Sequence, residues 1–121
     1  MSLFRAIPID VHAALEFVAA PALLFAPFFF GFSYAAGAIS ITLAVLLVGL
    51  AASVYGGQGE RGNLSPGAHA GLDLTLAVVT IAAGLAVGLA GDLVATVFLV
   101  GFGTAHLALI ASTRFTRPLG A

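Results

Sequence analysis

FVAAPALLFAPFFFGFSYAAGAISITLAVLLVGLAASVY, residues 17–55, carries no charged side chain. Nothing in such a run would hold it in water. In a bilayer it is two helices' worth of chain, because ~20 residues rising ~1.5 Å each cross a hydrocarbon core ~30 Å thick. Charge is absent again from Leu74 to Gly91 and from Leu93 to Thr113. The sequence therefore predicts an all-α, polytopic membrane protein with four spanning helices, at about 10–32, 35–55, 67–90 and 92–114.

Composition agrees. Charged residues make up 7% of the 121, against roughly 25% in a soluble domain, and hydrophobic residues make up 61%. A β-barrel would show short alternating segments, and none is present. The first span follows closely on Arg5 and Asp10 and runs straight into a second, so it is expected to remain as a helix rather than be cleaved as a signal peptide. The chain has no cysteine, which excludes disulfides, thiolate catalysis and thiolate metal sites. A net charge of −1 without a basic run gives no footprint for nucleic acid.

Positive residues near span ends stay cytoplasmic. Arg5, Arg61, Arg114 and Arg117 all fall on one side of a four-helix threading, which predicts an inner-membrane protein with both termini in the cytoplasm. The chain reads as a single membrane domain, 1–121, made of two hairpins. The first covers about 8–55 and the second about 67–114. A polar, glycine-rich loop at about 56–66 separates them.

The hairpins look like copies. His12-Ala13-Ala14-Leu15-Glu16 matches His69-Ala70-Gly71-Leu72-Asp73, and at the same offset Gly31 falls on Gly88 and Leu50-Ala51 on Leu107-Ala108. Two-span copies run in the same direction, a parallel internal repeat rather than an inverted one. Ser65 before Pro66, and Pro8 with Asp10, mark helix starts. Pro21 and Pro27 remove backbone donors inside the first helix and crowd the carbonyls of Phe17 and Leu23, so a kink is expected there. Gly84 with Gly88, and Gly101 with Ala105, give small-residue steps for close helix packing. Phe28, Phe29, Phe30, Phe32 and Tyr34 at one interface and Tyr55 at the other read as an aromatic belt.

The run Leu23-Leu24-Phe25-Ala26-Pro27-Phe28-Phe29-Phe30-Gly31-Phe32-Ser33 resembles the SPW-repeat family of small bacterial membrane proteins. In that family each repeat is a two-helix hairpin with a Ser-Pro-Trp step late in its first helix. Pro27 is kept, with Ala26 and Phe28 on either side. The resemblance implies two hairpins and four helices, and it implies no activity.

Five ionisable side chains interrupt the spans: His12, Glu16, His69, Asp73 and His106. Each costs roughly 2.5–3.5 kcal/mol at the middle of a bilayer and so needs a reason to be there. His12 and Glu16 share a helical face, as do His69 and Asp73. In the threading all five come to the cytoplasmic half, with Glu16, Asp73 and His106 at similar depth. The ordinary reading places the first two histidines at the interface and lets Glu16 reach the headgroups. Asp73 is too short for that and needs a partner in His69 or His106, or a proton.

Three functional readings follow. A proton or ion relay has the right groups, but Ser40, Thr42, Thr75, Thr80, Thr96 and Thr104 are too scattered to continue it. A metal or haem site could use the His and acid pairs, although the spacing differs from the Glu-x-x-His of di-iron bundles. Catalysis has no support, since there is no phosphate loop and no serine beside a histidine. The sequence thus predicts a non-enzymatic protein with no cofactor, acting through helix packing as a homo-oligomer or with other membrane subunits, in lipid. The alternative is a small oligomeric channel or transporter using the His/carboxylate cluster.

Overall fold

The computed structural model describes residues 5–55 and 64–116. Four helices account for nearly all of it: α1 Ile9–Phe30, α2 Tyr34–Tyr55, α3 Pro66–Leu89 and α4 Leu93–Ala111. All four are long and apolar enough to cross a membrane, with mean hydropathies from 1.9 to 2.3. The protein is an all-α, four-span membrane protein. Most of the loop expected at about 56–66, with Arg61, lies outside the described residues, as do Arg117 and the side chain of Tyr55.

Each helix starts and stops for local reasons. Ser65 caps α3 by accepting the Ala68 N–H at 3.1 Å, with Pro66 in the first turn. Gly31 ends α1 in the left-handed region at φ 69, and the N–H groups of Gly31 and Phe32 both donate to the Pro27 carbonyl. Asp92 caps α4, one carboxylate oxygen accepting the Ala95 N–H at 3.1 Å and the other the Ser33 N–H at 2.8 Å. One side chain thereby ties together the two turns at that end of the bundle. These two backbone donors hold the Asp92 carboxyl below its ordinary range.

The helices pair as two hairpins, α1 with α2 and α3 with α4. The hairpins meet mainly through α2 and α3, and to a lesser extent through α1 and α4. Within the first hairpin α1 runs unbroken through both prolines. The Leu23 carbonyl, which Pro27 deprives of its helical donor, accepts the Ser40 hydroxyl of α2 at 2.6 Å. Within the second hairpin, methyl groups added at Gly84 would come within 3.0 Å of Leu99 and Val100. At Gly103 one would come within 2.6 Å of Ile81 and 2.9 Å of the Ala77 carbonyl.

The expected step at Gly101 and Ala105 is corrected by this packing. Both residues face outward, nothing approaches Gly101, and the close contact on α4 is made at Gly103 instead. Gly84 and Gly88 do face α4, where the Thr96 hydroxyl donates to the Gly84 carbonyl at 2.7 Å. Gly31 and Gly88, matched in the sequence, hold different places, for Gly31 ends a helix and Gly88 lies inside one. Leu50 and Ala51 are buried, whereas Leu107 is half-buried and Ala108 exposed.

Outward faces are apolar, as lipid requires. Phe25, Phe28, Phe29 and Tyr34 are mostly uncovered, while Phe32, Phe98 and Phe102 pack against the core around Leu23, Leu47 and Leu99. α4 ends three residues before the expected boundary. There the chain leaves the helix, and Thr113–Arg114 (β2) pairs in parallel with Ile7–Pro8 (β1), with Ile7 opposite Thr113. This two-residue clasp, secured by the Ile7 N–H on the Ser112 carbonyl at 3.0 Å, closes the end of the bundle that carries Arg5 and Arg114.

Candidate functional site

Near that clasped end, the residues the helices turn inward are the ionisable ones. On α1 the buried face runs His12, Glu16, Ala20, Leu23, Pro27; on α3 it runs His69, Asp73, Ala77, Thr80, Gly84. Both keep the three-and-four spacing of a helix stripe. Each stripe presents its polar pair near the helix start, at the clasped end. His106 is buried on α4 at the same level, thirteen residues after the helix begins. α2 has no histidine, acid or base along its length and contributes no such group there.

All five side chains converge and none is more than 6% exposed. The contacts cross between hairpins: His12 Nε2 lies 2.6 Å from Asp73 Oδ2, and His69 Nε2 lies 3.4 Å from Glu16 Oε1. Along each helix His12 Nε2 is 3.2 Å from Glu16 Oε2, and His69 Nε2 is 3.1 Å from Asp73 Oδ2. His106 Nε2 closes the ring, 2.9 Å from Glu16 Oε2 and 3.6 Å from Asp73 Oδ1. Neither acid reaches the headgroups. The two carboxylates that interrupt the spans share one buried cluster with all three histidines of the chain.

Second-layer groups fix the rings. The Thr113 hydroxyl donates to the Leu109 carbonyl at 2.6 Å, which leaves its oxygen to accept from His12 Nδ1 at 2.7 Å. The Ser53 hydroxyl likewise donates to the Leu50 carbonyl at 2.6 Å and lies 3.3 Å from His69 Nδ1. A hydroxyl has one proton to give. With that proton spent on a carbonyl, each Nδ1 is a hydrogen-bearing nitrogen, and each Nε2 faces the acids, where a 2.6 Å contact such as that of His12 with Asp73 is held by a shared proton. Phe115 covers the cluster, its ring centroid 5.2 Å from that of His12 and 6.2 Å from that of His69.

Three inward-facing atoms, Glu16 Oε1, His69 Nε2 and Asp73 Oδ1, make these contacts without a well-formed hydrogen bond. Buried polar atoms left in this state are uncommon and costly. A groove of about 380 Å³ between α1 and α4, walled by Leu15, Val18, Phe102 and Leu109, runs in from the lipid-facing side to Glu16 and His106.

Thr113, Ser53 and Phe115 went unnoticed in the sequence. Of the remaining sites, Pro21 is exposed on the α1 surface and Pro27 is buried against α2. Neither they nor the packing glycines touch the cluster.

Fold and site together define a class: a four-span membrane protein with a buried centre of three histidines and two carboxylates in one half of its bundle. No protein-family model, curated protein or solved structure matches the chain.

Proposed function

We propose that this is a small, non-catalytic membrane protein whose buried centre holds a positive charge, a proton or a metal cation. In this reading it works within lipid as an oligomer or as an accessory subunit of a larger membrane assembly. The observation that carries the reading is the approach of Glu16 and Asp73. Their oxygens come within 4.8 Å of each other among the imidazoles of His12 and His106, all buried. Two ionised carboxylates so placed repel, and a cation between them removes both the repulsion and the cost of burying charge.

The hydroxyls at the centre support binding rather than catalysis, because Ser53 and Thr113 give their protons to backbone carbonyls and no base activates them. Toward the far end Ser40, Thr80 and Thr96 also donate to carbonyls. That arrangement favours occupancy over flow through a single copy. The natural entry is the clasped end beneath Phe115, which Arg5 and Arg114 would hold in the cytoplasm of a bacterial inner membrane. The duplicated-hairpin reading and the resemblance to SPW-repeat proteins belong to the same proposal.

A second reading, a small oligomeric channel or transporter, is favoured by the groove that brings the outside of the bundle to Glu16 and His106. One preparation separates the two. Protein purified in mild detergent is expected to shift its melting midpoint with pH or with divalent cations, and the Glu16→Gln/Asp73→Asn double variant is expected to lose that response. The native mass should exceed that of one chain. A midpoint indifferent to every cation overturns the proposal, a lone monomer overturns its assembly part, and cation flux in proteoliposomes that Asp73→Asn abolishes replaces it with the second reading.

A further inference from the structure

We propose that the cation is a single divalent first-row transition-metal ion, bound by His12 Nε2, Glu16, Asp73 and His106 Nε2, with His69 Nε2 as a fifth donor. The inference rests on the reading of the centre as a cation site and narrows it to one kind of ion.

Charge balance comes first. Two carboxylates and three neutral imidazoles sum to −2, and a divalent ion brings the centre to zero. A single proton leaves one net negative charge in a buried setting that disfavours it, and neutrality by protons alone takes two, which one divalent ion replaces. Spacing comes second. Donors ~2.0–2.2 Å from a common ion lie roughly 3–4.4 Å apart. Here the nitrogen–oxygen separations run from 2.6 to 3.6 Å, and one donor atom from each of the four ligands falls within 4.8 Å of the others. A shift of a few tenths of an ångström, chiefly the opening of the His12–Asp73 contact, would admit the ion.

Donor readiness is third and independent. Thr113 and Ser53 take up the Nδ1 hydrogens, the arrangement by which metal-binding histidines are usually oriented, and they leave the Nε2 atoms facing inward, where an ion would displace the protons shared with the acids. The three atoms that lack a well-formed hydrogen bond, on Glu16, His69 and Asp73, belong to side chains no more than 2% exposed and point into the same space. A metal would satisfy all three at once.

The donor set selects the ion. Imidazole with carboxylate suits Zn²⁺, Fe²⁺, Mn²⁺ and their neighbours, whereas Mg²⁺ and Ca²⁺ prefer oxygen alone, and the lack of thiolate disfavours Cu⁺.

The test uses the full chain in mild detergent, without a polyhistidine tag and stripped of metal, titrated with Zn²⁺ and with Co²⁺ as the optical probe. The expected result is one equivalent per chain with a visible Co²⁺ ligand-field spectrum, and binding at least tenfold weaker in His12→Gln and in Asp73→Asn. Because the chain has three histidines and no cysteine, protection of histidine from diethyl pyrocarbonate by Zn²⁺ reports on this centre even if a variant fails to fold. Zn²⁺ binding no tighter than Mg²⁺ overturns the metal while a pH-responsive midpoint keeps the cation reading. Indifference to both overturns the two together. Tight binding unchanged in both variants, with no histidine protected, places the ion elsewhere and also overturns the inference.

Discussion

Thr113→Val keeps the shape of the side chain and removes the oxygen on which His12 Nδ1 rests. In the wild type that contact is 2.7 Å and fully buried, and the Thr113 hydroxyl is itself spent on the Leu109 carbonyl. The variant leaves a buried N–H without an acceptor, which costs roughly 1–3 kcal/mol. The penalty falls on the state in which His12 offers Nε2 to the centre, since the ring then has a hydrogen on Nδ1 and nowhere to put it. At ~1.4 kcal/mol per factor of ten, affinity for Zn²⁺ should fall roughly 5- to 140-fold. Competition against a chromophoric chelator measures this directly, and Thr113→Ser, which restores the oxygen, should recover most of the loss. Equal affinity in the wild type, Thr113→Val and Thr113→Ser would refute the claim that this hydroxyl orients His12.

Three further outcomes follow from the packing and the caps. Gly103→Ala should lower stability by about 1–3 kcal/mol, since the methyl meets Ile81 and the Ala77 carbonyl, whereas Gly101→Ala, on the outer face, should leave the melting midpoint in detergent unchanged. Ser40→Ala should cost about 0.6–1.7 kcal/mol in the wild type and less in a Pro27→Ala background, where residue 27 regains an N–H for the Leu23 carbonyl; a double-mutant cycle with no coupling would contradict that account. Asp92 has a folded pKa below its unfolded value of ~3.9, so its contribution is complete above that value and is lost as pH falls through the folded one. The wild-type midpoint should therefore decline more steeply than that of Asp92→Ala below about pH 4.

The spans were legible because absence of charge is a signal that needs no partner. Their ends came within a few residues wherever a local cap decides them, as at Ser65 and Gly31. The expected end of α4 at about 114 was too late because a pairing with Ile7–Pro8, at the other end of the sequence, draws the chain away at Ser112. Gly101 and Ala105 show how little it takes to misjudge a face. Two residues turn a helix by ~200°, and the contact sits at Gly103. Ser40 looked like one scattered hydroxyl, although Pro27 already implied a carbonyl in want of a donor. The His and acid pairs were visible as pairs; their convergence was not, since spacing along one helix says nothing about the rotation of its neighbour. Thr113 and Phe115 carry no local signal at all, because their roles exist only across the clasp.

The clasp also sets an order of assembly. The bond between His12 and Thr113 spans 101 positions of sequence, so during synthesis the first histidine enters the bilayer long before the residue that fixes its ring has been made. Glu16 must wait equally for His106. Until the last span is in place and the chain has folded back onto Ile7, the acids have incomplete company, and a ribosome stalled within α4 leaves a bundle that is inserted but chemically unfinished.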